Sequence, residues 1–139
     1  DLPRILEIPL AGLEEKDTVT ARDLEISFSE VPRRADKKRS LLNINDIQFL
    51  RRENRSWLIA LARDQERILL IDVEKARVVR WVDLDLRDPG GGKIYWVSPE
   101  GLAIDQESGR LWIINDPDFA KGGTSIHWLE KKIRERLGG

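Results

Sequence analysis

Two acidic residues, Asp46 and Glu100, stand 54 positions apart in stretches that align without a gap. Asn45-Asp-Ile-Gln-Phe-Leu lies over Pro99-Glu-Gly-Leu-Ala-Ile, so Asp46 falls on Glu100. Leu50 falls on Ile104, Glu53 on Glu107, Leu58 on Trp112 and Ile59 on Ile113. Carboxylates at equivalent places in a repeat suit two roles. They can supply oxygen ligands to a hard cation such as Ca²⁺, with carbonyls and waters filling the shell. They can equally accept hydrogen bonds from strand amides and hold the repeats together. Asn115 and Asp116 end an apolar strand of the second copy, with Asp118 just beyond, and offer further oxygens. The alternative for Asn115-Asp-Pro-Asp118 is an Asx turn before Pro117. The spacing is not that of an EF-hand loop.

Other chemistry-bearing types are sparse. His127 is the only histidine, so a histidine-built zinc site is excluded, and no serine sits in a nucleophile-elbow setting. Gly90-Gly-Gly92 lacks the Gly-Lys-Ser/Thr ending of a phosphate loop and reads as a flexible connection. The basic run Arg33–Arg39 has no interleaved aromatics and reads as a solvated loop, not a nucleic-acid surface. Of five tryptophans, Trp57, Trp81, Trp112 and Trp128 sit in apolar runs and are expected in the core. Trp96, beside Tyr95 in a longer loop, is the one expected at a surface site.

The elements that must position these residues are short strands. In the first copy the pattern predicts Asp46–Leu50, a polar turn at Arg52–Arg55, and a continuous apolar strand Trp57–Ala62. Strands Ile68–Val73 and Val78–Leu84 follow after turns at 64–66 and 74–76. The second copy predicts Leu102–Ile104, Leu111–Ile114 and Ser125–Leu129, with its outermost strand missing. Four antiparallel strands joined by tight turns make one propeller blade. Repeats of that kind run about 40–50 residues; the longer spacing here places an insertion at Asp88–Lys93. Glu130–Leu137 predicts a short charged helix, and Arg4–Leu10 and Thr18–Phe28 predict strands outside the repeat. The expected organisation is therefore all-β: N-terminal strands and a basic loop over 1–42, blades over 43–88 and 89–130, and a helical tail over 131–139.

Composition limits function. The chain has 139 residues, 40% hydrophobic, enough for a core. Lys+Arg number 24 and Asp+Glu 25, so no global field favours nucleic acid or an anionic membrane. There is no Cys, which excludes disulfides and thiolate sites. No apolar run is long enough for a transmembrane helix. Two to three blades do not close a ring of four to eight, and an open stack leaves sheet edges exposed. The expectation is that further blades of a longer chain, or further copies, complete it.

Ser98-Pro-Glu-Gly-Leu-Ala-Ile-Asp-Gln-Glu-Ser-Gly-Arg-Leu-Trp-Ile-Ile-Asn-Asp-Pro117 resembles the blade signature of six-bladed and phytase-like propellers. Within that group it is similar to the SdiA-regulated family, which belongs with the esterase-like and phytase-like propellers. Trp57–Leu61, Ile68–Asp72, Arg77–Trp81 and Leu111–Pro117 follow the order of that family's last two blades. The first copy departs from the pattern, having Asp46-Ile47 where Glu-Gly or Ser-Gly is usual. The resemblance implies a periplasmic or secreted location and calcium near a central channel. It places Glu100 at the start of an innermost strand facing that channel, with Asp46 one blade earlier. The expected function is a non-enzymatic, calcium-binding module for a ligand or partner protein. The alternative is a phytase- or esterase-like hydrolase using metal-bound water on a phosphate ester. That chemistry needs a larger acidic cluster and a phosphate-binding cation, and the sequence assigns neither.

Overall fold

The structure is a computed structural model, and it describes residues 3–8, 21–34, 42–85, 90–92, 99–115 and 125–129; for Asn115 and 125–129 it describes the backbone alone. The predicted C-terminal helix, Asp116, Asp118, Tyr95, Trp96 and most of the basic run lie outside the described residues.

Among the described residues, nine strands form three antiparallel sheets. β1 (Leu6–Glu7) pairs with β2 (Arg22–Asp23). β3 (Ile44–Arg52), β4 (Arg55–Ala62), β5 (Arg67–Asp72) and β6 (Arg77–Asp83) form a four-stranded meander in sequence order. β7 (Pro99–Ile104), β8 (Leu111–Asn115) and β9 (Ser125–Leu129) form a three-stranded one. The protein is thus all-β over these residues, and no sheet closes on itself.

Local chemistry explains the turns. Glu53 and Asn54 take φ of 50° and 59°, so a two-residue turn joins β3 to β4. Left-handed angles at both central positions match the right-handed twist of the paired strands. Between β4 and β5 the chain makes one 3-10 turn, Arg63–Gln65, and leaves it through Glu66 at φ 46°. The N-terminal region departs from its predicted long strands. Glu25 turns left-handed at φ 50°, and its amide donates to Asp23 Oδ1. That local bond ends β2 after Asp23 and lets Leu24, Ile26 and Phe28 pack down as side chains.

The 54-residue repeat recurs in the strand register. Ile47, Gln48, Phe49 and Leu50 oppose Ala60, Ile59, Leu58 and Trp57. Gly101, Leu102, Ala103 and Ile104 oppose Ile114, Ile113, Trp112 and Leu111, at the same offset throughout. Each pairing is broken near its start by a bulge, at Asn45 in β3 and at Glu100 in β7.

Two cores follow from the alternation. Leu50, Ile59, Leu61, Ile68 and Leu70 on one face of the four-stranded sheet share a cluster with Leu102, Leu111 and Ile113 of the second sheet. Ala60, Ala62, Leu69, Ile71 and Val78 on the other face pack with Ile5 and Phe28, flanked by Leu24, Ile26 and Val31. β5, central between the two cores, is buried at every residue. Ile59 and Ile113 are equivalent positions, as are Leu50 and Ile104, and all four border the first core. The two copies therefore meet like face to like face. Trp57 and Trp81 are less enclosed than expected: Arg55 stacks on Trp57 at 4.5 Å, and Trp81, on edge strand β6, is 37% exposed.

Candidate functional site

β3 begins, β4 ends and β7 begins at one end of the molecule, because Ile44 opposes Ala62 and the bulged start of β7 lies beside β3. This end gathers Asp46, Asp64, Arg63 and Glu100.

Each oxygen of Asp46 accepts from one amide. Its Oδ1 accepts from the Ile47 amide at 2.7 Å, and its Oδ2 accepts from the Leu102 amide at 2.5 Å. The second bond joins the two sheets. It satisfies an N–H on the edge of β7 that points away from β8. Gly101 lies alongside, and a Cβ there would sit 3.7 Å from Asp46 Oδ2, an ordinary contact.

Glu100 accepts from Arg63 Nη1 at 2.9 Å, a second tie between the sheets. Arg63 Nε also reaches Asp64 Oδ1 at 3.5 Å. The hydrogen bond that Arg63 donates to Glu100, acting against partial burial, holds the guanidinium above its ordinary pKa. Arg63 is placed by its own backbone, whose amide donates to the Asn43 carbonyl at 3.1 Å.

Sequence reasoning singled out Asp46 and Glu100 and missed Arg63. Its only local signal was a position just after an apolar strand, in a turn. Asn115 is placed by backbone opposite Pro99 and Ser125, and Asp116 lies outside the described residues. His127 stands opposite Ile113 in the β8–β9 register. Gln65, buried in the 3-10 turn, accepts from the Arg34 amide at 3.0 Å, so the start of the basic run is tied to the sheet. Gly91 takes φ +83°, the freedom a flexible connection uses.

Calcium takes six to eight oxygens. Glu100 faces a guanidinium, which repels a second cation, and Asp46 spends both oxygens on amides. Among the described residues no three acidic or histidine side chains converge as metal ligands.

Beside Asp46 an open pocket of about 720 Å³ lies between the N-terminal segment and the start of β3. Ile5, Leu42, Ile44 and Ile47 supply apolar wall, and Asn43, Asn45, Asp46 and Asp64 supply polar groups. Arg4 also lines it, but its Nε is committed to Asp23 Oδ2 at 2.6 Å. The amide of Glu25 and the Arg4 guanidinium hold the Asp23 carboxyl below its ordinary range. Asn45 sits at the β3 bulge, and its Oδ1 is shielded from water without a hydrogen-bond partner. An orphaned acceptor of this kind costs about 1–3 kcal/mol.

Two further acidic sites serve the fold. Asp72 is completely buried between β5 and the turn that follows. Burial raises its pKa, but the Lys75 amide at 3.0 Å and the Arg55 and Lys75 cations outweigh that and hold it below the ordinary range. Asp105 accepts from the Ser108 hydroxyl and the Glu107 and Ser108 amides, and these bonds lower its pKa too.

Comparison of the chain with family models, curated proteins and solved structures finds no match.

Proposed function

We propose that this chain is a non-enzymatic binding module, built from two propeller-type blade units, with its binding face at the end where β3 and β7 begin. One observation carries the non-enzymatic reading. Asp46 and Glu100, the carboxylates best suited to metal-assisted hydrolysis, are used as inter-sheet ties, to the Leu102 amide and to Arg63. A hydrolase needs such groups turned toward a metal-bound water and a phosphate. A binding module needs them to fix the geometry of a pocket, and a pocket lies beside Asp46.

The blade reading rests on the meander order β3-β4-β5-β6 and on the recurrence of the repeat in strand register. Blades that succeed one another round an axis present unlike faces to each other, whereas these two sheets meet through like faces. The blade reading thus concerns the strand order and register of each unit, and partner blades, from a longer chain or from further copies, would add against the face of β8 where Ile114 is 41% exposed. The periplasmic or secreted setting rests on the resemblance alone.

Two measurements test the reading. Native mass spectrometry of the purified particle should show a multiple of the chain mass or a second polypeptide; a strict monomer at micromolar concentration would oppose closure by partner blades. Calorimetric titration with Ca²⁺, paired with turnover of a generic phosphate monoester, should give no heat and no product. Stoichiometric calcium binding with turnover lost in Glu100→Ala would establish the hydrolase instead.

A further inference from the structure

The two faces of the four-stranded sheet are covered by different kinds of neighbour. One face shares its core with the second sheet. On the other, Ala60, Ala62, Leu69, Ile71 and Val78 pack with Ile5 and Phe28 of the N-terminal segment, and Leu24, Ile26 and Val31 lie alongside. This segment is two-sided. Leu24, Ile26, Phe28 and Val31 turn toward the sheet, whereas Arg22, Glu25, Ser27, Ser29, Glu30 and Arg33 are exposed. An element with an apolar inner side and a polar outer side is what ends a stack of repeats.

The segment is attached more lightly than the strands it covers. β4 and β5 each have a strand ladder on both sides. Among the described residues, the segment meets the backbone of the sheet at one isolated bridge. There the Ser27 amide donates to the Ala76 carbonyl at 2.8 Å, and the Val78 amide to the Ser27 carbonyl at 3.1 Å. A turn closed by the Val31 amide on the Phe28 carbonyl then takes the chain off the β6 edge. Two buried polar side chains hold the far end: Gln65 accepts from the Arg34 amide, and Arg67 Nη1 donates to the Pro32 carbonyl. The Arg77–Glu30 ion pair, at 3.9 Å, is exposed on both sides and adds little. Fewer ladder bonds and more exposed links mean a lower opening free energy.

We propose that the N-terminal segment is a cap that opens as one unit, below global unfolding, and that while closed it bars a second copy of this chain from this face. The inference rests on the blade reading and adds to it a control on where units stack. The two sheets of this chain already pack like face to like face. Ile114 is the repeat equivalent of the capped Ala60, so the exposed face of β8 is the like face that a second copy offers.

Hydrogen exchange of the parent protein, followed by NMR over sub-denaturing urea, tests the opening. The Leu24, Ser27, Arg34 and Val78 amides, whose acceptors belong to the closed cap or its seat, should share one urea dependence. They should exchange at least about tenfold faster than the β4 and β5 amides, as a subglobal unit does. Cap amides that exchange together with β4 and β5, or each with its own dependence, overturn the inference. Phe28→Asp, a change within the cap, tests what the cap does. It should free the cap amides, leave those of β4 and β5 protected, and give a native mass above the parent's that grows with concentration. Adding Ile114→Asp should return the mass to the parent's. An unchanged mass, growth that Ile114→Asp leaves in place, or loss of β4 and β5 protection overturns the capping role. The module reading is judged separately, on the parent's own mass and the absence of turnover.

Discussion

Replacing Asp46 tests the junction of the two sheets. The carboxylate accepts two amide hydrogens with two different oxygens, from Ile47 at 2.7 Å and from Leu102 at 2.5 Å. An asparagine is nearly the same shape but has one acceptor oxygen. Whichever way its amide turns, one backbone N–H faces an NH₂ group. Leu102 is buried, so water does not replace the lost partner. Leaving a buried donor unsatisfied costs about 1–3 kcal/mol. Asp46→Asn should therefore destabilise by about 2 kcal/mol, and Asp46→Ala, which loses both bonds, by more. Urea denaturation followed by tryptophan fluorescence measures this. With a slope of about 2 kcal/mol/M, typical of a small domain, the Asn midpoint should fall by roughly 1 M at unchanged slope. Glu107→Gln, on an exposed turn, serves as the control and should stay within about 0.5 kcal/mol of the parent. An Asn variant that unfolds with the parent would refute the tie between Asp46 and β7. A changed slope would mean that the substitution alters the surface exposed on unfolding, or its two-state character, and not the tie alone.

Three further outcomes are expected. The Arg63–Glu100 pair is about one-third exposed on each side, so an Ala/Ala double-mutant cycle should return a coupling of at most about 1 kcal/mol in urea melts, falling with added salt. Asp72 has a lowered folded pKa, so its contribution is present above the ordinary carboxylate value near about 4 and is lost as pH falls through the folded value. Chemical melts from pH 6 to pH 2 should show parent stability dropping more steeply than that of Asp72→Asn, which should itself cost about 1.5–3 kcal/mol at neutral pH. Gly101 has no positive φ, and a Cβ there meets its neighbours at 3.7 Å or more, so Gly101→Ala should be tolerated and raise stability by about 0.4–1 kcal/mol in the same melts, although the position belongs to the Glu-Gly motif.

Much of the fold was legible because strand signals are local. Turn formers at Glu53-Asn54 and apolar runs at Trp57–Ala62 and Ile68–Val73 place β3, β4 and β5 to within a residue or two. The N-terminal strands were not legible, because a single left-handed residue, Glu25, redirects Leu24, Ile26 and Phe28 into the core. Alternation had read them as strand.

The site divides in the same way. The repeat alone aligned Asp46 with Glu100 and gave strands β3–β4 and β7–β8 one register from Ile47 and Gly101 onward, although the bulge falls at Asn45 in one copy and one position later, at Glu100, in the other. Those facts depend on side-chain period and turn chemistry over a few residues. Only the tertiary structure decided what the carboxylates do. A two-residue period says which residues share a face but not which sheet that face meets, and here like face met like face. Arg63 comes to Glu100 across 37 residues, and the Leu102 amide comes to Asp46 across 56. Charge partners chosen over such distances depend on how the sheets pack, and packing is a property of the whole chain.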